Sequence, residues 1–268
     1  MSRLGARVHA YVRWPEFLVI GAQKAGTSTL YAQLVAHPLV LPALTKEVHC
    51  FDTARAADER WYRAHFPTVG RRATVEARHG GRVVSGESTP FYLAHPAAPD
   101  RAAEMIPDVR LAVVLRDPVQ RAISAYHHAR HWHLEDRPIE VALDPSAAET
   151  PSRAGPEWFD SPECPMRRHG YLMRGRYAEQ LERWLEGFGH DRLLVLDVAE
   201  IRTGDAARRR SIFWGLRLCR SPGSWIATWG AIRPRTMTYA TASHATSRRT
   251  TNGSTSSSVG ASPGSSRS

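Results

Sequence analysis

Short apolar runs alternate with stretches of helical spacing along the first 200 residues of the chain. The runs at residues 17–20, 82–86, 110–115 and 192–197 predict strands. Apolar positions three and four apart predict helices at residues 29–36, 54–66 and 177–188. Further helices are predicted at residues 99–105, ended by Pro107, and at residues 118–133, where Pro118 suits the first turn. Residues 45–52 fit either a short strand or an extended loop, and residues 135–168 predict a long loop. Strands that alternate with helices predict an α/β fold with a largely parallel central sheet flanked by helices.

The pattern weakens after about residue 205, and this divides the chain into three predicted parts. Residues 1–14 predict a loose lead-in, residues 15–205 one folded domain, and residues 206–268 a basic tail rich in Ser and Thr. That tail contains no Asp or Glu, and its composition is typical of disorder. A genuine tail and the product of a shifted reading frame both fit this composition, so both remain open.

Composition bounds the location and the partners of the protein. The chain of 268 residues has no apolar run long enough to cross a membrane, and its start lacks the apolar core of a signal peptide. Its three cysteines are too scattered for a disulfide framework or a zinc site. The formal net charge of +10 comes from residues 201–268, which hold eleven arginines and one acid. We therefore expect a cytoplasmic protein with no membrane or nucleic-acid partner.

The segment that joins the first predicted strand to its helix carries candidate chemistry. Gly21 opens this loop, and Gly26 directly precedes a helix predicted to begin near residue 27 or 28. The N–H groups of a first helical turn lack intrahelical acceptors, and the helix dipole favours an anion beside them. A Walker A loop places its lysine directly after the second glycine, whereas Lys24 lies two places before Gly26. This spacing argues against an ordinary ATP or GTP site, although a P-loop kinase and a plain glycine-rich turn remain as alternatives.

Two further segments place ionisable residues near predicted strands. Glu47 and His49 are two positions apart, so extended backbone would project both to one side, where they suit general-base chemistry. Polar residues that simply face water are the alternative. Arg116 follows the strand at 110–115 and Ser124 lies two helical turns later, so the pair suits one phosphate. A metal site is not predicted, because the histidines at 127–133 lack an HExxH-type partner.

Four segments resemble the successive motifs of sulfotransferases that use 3′-phosphoadenylyl sulfate (PAPS). They are residues 21–27 (GAQKAGT), 46–52 (KEVHCFD), 87–90 (ESTP) and 115–124 (LRDPVQRAIS). The resemblance covers about residues 15–204 and is strongest to the heparan sulfate (Golgi-type) sulfotransferases and their bacterial relatives. It implies a P-loop-like three-layer fold. It also implies transfer of the sulfuryl group of PAPS to a hydroxyl or amine of a carbohydrate or small metabolite, with PAP as product and no metal.

The same resemblance implies roles for individual residues. Glu47 matches the catalytic base, with Lys24 and His49 beside it in catalysis. The implied donor-binding residues are Gln23, Lys24, Ala25, Gly26, Thr27 and Ser28 for the 5′-phosphosulfate, and Arg116 and Ser124 for the 3′-phosphate. The implied acceptor-binding residues are Lys46, His49, Ser88, Thr89 and Pro90. No counterpart of the family's C-terminal motif follows residue 205, so a catalytically defective nucleotide-binding relative is the alternative. The acceptor and the oligomeric state are not predicted.

Overall fold

A computed structural model describes residues 11–148 and 154–203 together with Phe213. Most of the predicted lead-in, and the predicted tail at 206–268 apart from Phe213, lie outside the described residues. The central sheet has five parallel strands in the order β2-β3-β1-β4-β5. The strands are β1 (Phe17–Gly21), β2 (Val40–Pro42), β3 (Val84–Ser88), β4 (Arg110–Leu115) and β5 (Leu193–Asp197). The predicted α/β fold with a parallel sheet is therefore confirmed.

Helices connect the strands and cover the sheet. They are α1 (Thr27–Val35), α2 (Glu59–Arg63), α3 (Val69–His79), α4 (Ala98–Met105), α5 (Pro118–His131), α6 (Ile139–Ala142), α7 (Pro156–Asp160), α8 (Pro165–His169), α9 (Tyr177–Phe188) and α10 (Val198–Thr203). Helix α1 contacts β1, β2 and β3, whereas α4 packs against α9. The right-handed rule for crossovers puts the β1–β2 connection on one face and the later connections on the other, because the chain steps from β1 towards β2 and then steps in the opposite direction along the sheet. This arrangement gives three layers.

The two inner strands owe their position to continuous apolar sequence. Every residue of β1 is buried, and in β4 the four residues at 111–114 have no exposed surface. Strands covered on both faces need such runs, since burying each large aliphatic side chain contributes about 1.5–3 kcal/mol. In β5, at the edge of the sheet, burial alternates and Val195 is exposed to solvent. The apolar stripe of α9, with Trp184 and Phe188 buried, covers one face.

The predicted single helix over residues 54–66 is wrong. The chain instead forms a 3₁₀ turn at Ala54–Ala57 and then the short helix α2. Asp58 separates them with a non-helical backbone, and its carboxylate accepts a hydrogen bond from the Trp61 N–H at 2.8 Å. An Asp in that position stops one helix and starts the next, because it satisfies a first-turn donor.

Other differences lie in segments with weak periodicity. Residues 45–52 form a loop rather than a strand, and strand β3 begins two residues later than predicted. The predicted long loop at 135–168 is also wrong, since α6 and α7 lie within it and α8 begins in it. Helices α3 and α10 and the edge strand β2 were not predicted. Short helices of four to six residues carry too few turns for an apolar period to show, and tertiary packing decides them.

Candidate functional site

The carboxyl edge of the sheet gathers the candidate residues. The order of strands reverses between β1 and β4, and open α/β sheets bind ligands in the crevice at such a point. The loop at residues 22–26 leaves the end of β1, and Arg116 follows the end of β4. The main-chain N–H of Ala22 donates to the Val114 carbonyl at 2.8 Å, so the base of the loop is fastened to β4. One edge of the sheet therefore brings together segments that are about 90 residues apart in sequence.

The loop at 22–26 leads into α1 without a side-chain cap. Gly26 is the N-cap residue with φ +103°, a left-handed conformation that glycine adopts without steric strain. The first intrahelical bond runs from the Leu30 N–H to the Gly26 carbonyl at 3.0 Å. No side chain caps this end of the helix, so the N–H groups of residues 27–29 are left for another acceptor. An anion at this helix end would satisfy them and interact favourably with the dipole.

Two cations, Lys24 and Arg116, lie at this helix end. Neither Lys24 nor Arg116 forms an ion pair within the described part of the chain. The Arg116 guanidinium donates to the Lys24 carbonyl at 3.3 Å, which holds the two residues together. Burial and the positive charge of Arg116 lower the pKa of Lys24. Both cations would gain from a multiply charged anion, and the residues therefore fit a phosphate or phosphosulfate group.

The other residues predicted for this part of the site differ in exposure. Thr27 is buried, Ser28 is exposed, and Ser124 is half-buried on α5. The Tyr177 hydroxyl donates to the Arg116 carbonyl at 2.9 Å, which also fixes the turn after β4. The structure thus places a loop, a helix end and the start of α5 around one edge of the sheet.

A loop after β2 carries Glu47 and His49. Its backbone is held from below, where the Thr89 hydroxyl accepts from the N–H groups of Val48 at 3.1 Å and His49 at 3.4 Å. The Thr89 hydroxyl in turn donates to the fully buried carboxylate of Glu87 at 2.5 Å. Burial raises the pKa of Glu87 to about 7, although hydrogen bonds from Thr89 and Tyr92 act in the opposite direction. Thr89 and Glu87 therefore position the loop above them.

Charged side chains alternate in sign across this loop. Lys46 Nζ lies 2.6 Å from Glu47 Oε1, and His49 Nε2 lies 3.6 Å from Glu47 Oε2. His49 Nδ1 lies 2.8 Å from the buried Asp52 carboxylate, which also accepts from Arg167 at 2.8 Å. The row therefore runs Lys46, Glu47, His49, Asp52 and Arg167, with each charge facing an opposite one.

This alternation sets the protonation states. Burial alone would raise the pKa of Glu47, but hydrogen bonding to His49 and the charge of Lys46 outweigh it and lower the pKa to about 2. Burial alone would lower the pKa of His49, but hydrogen bonds to Asp52 and Glu47 raise it to about 9. Hydrogen bonding to His49, together with Arg167, outweighs burial and lowers the pKa of Asp52. Glu47 is therefore a carboxylate and His49 an imidazolium at neutral pH.

The stabilising effect of the row depends on pH in a defined sense. Because the folded pKa of His49 exceeds its usual 6.5, its contribution is complete below pH 6.5 and is lost as the pH rises through about 9. Because the pKa of Glu47 lies below its usual 4.5, its contribution is present above pH 4.5 and is lost towards pH 2. Asp52, with its lowered pKa, acts in the same sense as Glu47. The stabilising effect of the row is therefore greatest between about pH 4.5 and pH 6.5, and it declines as the pH rises towards 9.

Replacing Asp52 with asparagine is expected to lower the pKa of His49 from about 9 towards its usual 6.5, since the largest raising influence is removed. Histidine signals in NMR spectra recorded against pH measure this shift, and the signal absent from His49→Ala assigns it. Asp108→Asn, at an exposed carboxylate that pairs with Arg192, is the control and should leave the titration unchanged. An unaltered His49 titration in Asp52→Asn would show that the carboxylate does not hold the proton.

A cavity of about 410 Å³ opens beside this row. Its walls are formed by Gln23, Glu47, His49, Thr53, Pro90, Phe91, Asp160, Pro162, Arg167 and Arg174. Predicted residues Gln23, Glu47, His49 and Pro90 thus meet at one cavity. Ser88 and Thr89 do not lie on its walls, because both side chains are fully buried beneath the loop. Phe91, Arg167 and Arg174 were not predicted, and their sequence carries no period or motif that would have singled them out.

The described residues contain no group of three or more His, Cys, Asp or Glu side chains that could hold a metal ion. Among them, His127, His131 and His133 lie on or just after the end of α5 and are exposed. No helix in the described residues is long and apolar enough to cross a membrane.

Comparison with known proteins identifies the family. The sulfotransferase domain family matches residues 15–207. Human bifunctional heparan sulfate N-deacetylase/N-sulfotransferase 3 is 36% identical over 202 residues, which cover 72% of this chain and 21% of that protein. Membrane-associated sulfotransferase kil1 of Dictyostelium discoideum is 32% identical over 132 residues, which cover 48% of this chain and 26% of that protein. The chain thus spans about a fifth of the length of the human relative.

A solved structure shares the fold. The crystal structure of a sulfotransferase from Alicyclobacillus acidocaldarius has a TM-score of 0.57 and 26% identity, with 77% of this chain and 83% of that chain covered. The match to the family extends over nearly all of the described fold, including the loop at 22–26, the row of charges and both strand ends. On these grounds the protein belongs to the sulfotransferase family.

Proposed function

We propose that this protein transfers the sulfuryl group of PAPS to a hydroxyl or amine of a carbohydrate or small-metabolite acceptor. The proposal is carried by one observation. Lys24 and Arg116, which form no ion pair within the described residues, lie with an uncapped helix end and an ionised Glu47 at one edge of the sheet. The name of the human relative, a bifunctional heparan sulfate N-deacetylase/N-sulfotransferase, supports a carbohydrate acceptor. PAP is the expected product.

The donor-binding residues are assigned from charge and backbone geometry. Lys24 and residues 25–28 would hold the 5′-phosphosulfate, because they combine a cation with the N–H groups of residues 27 and 28, which have no intrahelical acceptor. Gln23 lines the adjoining cavity. Arg116 and Ser124 would hold the 3′-phosphate, with the guanidinium providing two parallel donors. The domain that does this corresponds to residues 15–205.

PAPS supplies an activated sulfuryl group joined to a phosphate leaving group. Lys24 stabilises the negative charge that develops on the oxygen between sulfur and phosphorus, because a fixed cation in a partly buried site needs little reorganisation. Glu47 accepts the proton of the attacking hydroxyl or amine. Pro90 borders the acceptor, whereas Ser88 and Thr89 act from beneath through the Glu47 loop. No metal is needed for any of these steps.

The pKa of Glu47 is compatible with this role. At about 2 it keeps the carboxylate ionised, so that a hydroxyl can donate to it throughout the neutral range. The hydroxyl proton becomes strongly acidic as its oxygen bonds to sulfur, and a weak base then suffices to remove it. Lys46 and His49, both positively charged, remain beside Glu47 and favour its return to the carboxylate form once the proton passes to solvent.

The two alternatives are addressed by particular observations. Family membership favours sulfuryl over phosphoryl transfer. Lys24 also precedes Gly26, whereas a Walker A lysine follows the second glycine, so a P-loop kinase has less support. A catalytically defective relative remains, because the tail that would decide it lies outside the described residues. Cys50 and Cys164 are free and buried, in keeping with the cytoplasmic location that we propose.

Turnover of PAPS tests the proposal. Incubating the full chain with PAPS and a panel of sugars and amino sugars is expected to release PAP in amounts that depend on the acceptor. Chromatography quantifies PAP, and mass spectrometry identifies the sulfated product. Release of PAP at the same rate with and without every acceptor would support the defective relative instead.

A further inference from the structure

Two arginines lie over one aromatic ring on the wall of the cavity. The guanidinium carbon of Arg167 is 4.1 Å from the centroid of the Phe91 ring, and that of Arg174 is 5.0 Å from it. Arg174 also donates to the Arg167 carbonyl at 3.2 Å, so the two residues are held together. Both line the cavity that Glu47 and His49 also line. They come from α8 and from the 3₁₀ turn Met173–Gly175, outside all of the motifs singled out in the sequence.

The positive charge of Arg174 is not balanced by an acid among the described residues. Arg167 pairs with Asp52, but Arg174 forms no ion pair with any described residue. Arg174 is only 6% exposed, and a buried charge is costly unless it is paired. Burial and the charges of Arg121 and Arg167 lower the pKa of Arg174 to about 9, so it is still charged at neutral pH.

The acids on the cavity wall are already engaged. The Asp160 carboxylate accepts hydrogen bonds from both Nη atoms of Arg101, at 2.7 and 3.0 Å. Glu47 lies between Lys46 and His49. Behind the wall, fully buried Arg121 adds a further positive charge, and two of its nitrogens lack a partner in the described structure. The cavity wall beside Arg174 is therefore positively charged, and the Phe91 ring packs against the two guanidinium groups.

We propose that Arg174, supported by Arg167, binds an anionic substituent of the acceptor, namely a carboxylate or sulfate ester carried by the molecule that presents its hydroxyl or amine to Glu47. This inference rests on the proposed function, because it describes the acceptor side of the same site. A guanidinium fork suits both groups, since each offers two oxygens in a plane. The two donor-binding cations, Lys24 and Arg116, lie instead at the ends of β1 and β4.

The test compares two sugars that differ in one group. The probes are p-nitrophenyl β-D-glucuronide, which bears a carboxylate, and p-nitrophenyl β-D-glucoside, which bears a hydroxymethyl group in its place. Calorimetric titration of the PAP-saturated full chain is expected to show the glucuronide binding at least about 10-fold more tightly, because hydrogen bonds to charged groups are worth more than neutral ones. Equal affinity for the two probes would overturn the proposal.

Matched variants assign the effect to one side chain. Arg174→Gln should abolish most of the preference for the glucuronide, and Arg174→Lys should keep part of it. Arg176→Gln is the control, since Arg176 lies two residues away, is exposed and pairs with Glu179 at 2.7 Å. Circular dichroism shows whether each variant folds. If Arg174→Gln does not fold, the comparison is made with Arg174→Lys alone. An undiminished preference in a folded Arg174 variant would overturn the proposal.

The donor is the other source of an oxyanion, and two further titrations separate it. PAPS carries the sulfuryl group and PAP lacks it. Comparing the affinity of each ligand for Arg174→Gln with its affinity for the unchanged chain therefore shows whether Arg174 contacts the sulfuryl group of the donor. We expect Arg174→Gln to bind both PAP and PAPS as tightly as the unchanged chain does. A selective loss of PAPS affinity would assign Arg174 to the donor and overturn the proposal. If PAP fails to bind even the unchanged chain, the proposed function fails, and the two sugars titrated without PAP still test the arginine site.

Discussion

Glu47→Gln is expected to slow sulfuryl transfer by about 10²- to 10⁴-fold, the range typical of a lost general base. The amide keeps the shape of the side chain and can still receive hydrogen bonds, but it cannot take the proton of the acceptor. It also leaves Lys46 and His49 without their shared carboxylate, so the pKa of His49 should fall below about 9. Initial rates of PAP release at saturating PAPS measure the effect.

The control for this change is Glu163→Gln, at an exposed carboxylate that pairs with Arg168. It should leave the rate unchanged. Glu47→Gln should retain its affinity for PAP, because Glu47 faces the acceptor cavity and not the helix end. Full turnover by Glu47→Gln would show that another group, or solvent alone, accepts the proton.

Lys24→Ala is expected to lower the rate by about 10²- to 10³-fold, as for the removal of one donor that stabilises a developing oxyanion. It should also weaken the binding of PAP, because a hydrogen bond to a charged group contributes about 1.5–3 kcal/mol. The remaining cation, Arg116, does not replace it, because we assign its guanidinium to the 3′-phosphate. Rates of PAP release and calorimetric titration with PAP measure the two effects.

Arg168→Ala is the matched control for the loss of a cation, because Arg168 is partly exposed and pairs with Glu163 away from the strand ends. It should keep both the rate and the affinity for PAP. If Lys24→Ala binds PAP as tightly as Arg168→Ala does, the loop at 22–26 is not the donor site.

The parts of the site that could be predicted from sequence are local. The loop at 22–26 follows a buried strand and opens a helix, so its glycine spacing and its lysine indicate an anion site without any knowledge of the rest of the fold. Strand β4 and helix α9 were predicted with their observed ends, because both have strong apolar patterns. Glu47 and His49 were also predicted to lie on one side of the chain, but on the assumption that residues 47–49 form extended backbone. His49 in fact has φ +56° in a loop, and Thr89 holds that loop in place.

The remainder of the site depends on contacts between distant residues. Arg167 and Arg174 reach the cavity from more than 110 residues beyond Glu47, and an arginine-rich chain offers no pattern that distinguishes them from exposed neighbours such as Arg168 and Arg176. Glu87 lies in the segment at 87–90 that resembles a family motif, yet the hydrogen bonds that its carboxylate accepts from Tyr62, Tyr92 and Thr89 come only from packing. Ser88 shares that motif, but its side chain faces the interior.

Binding of PAP to the unchanged full chain tests the central claim most directly. Thermal unfolding is followed at increasing PAP, with ATP and Mg²⁺ as the comparison ligand. We expect PAP alone to stabilise the protein, by about 2.7 kcal/mol at 100 times its dissociation constant. Stabilisation by ATP and Mg²⁺ with none by PAP would contradict the claim that the loop at 22–26 and Arg116 form a PAPS site.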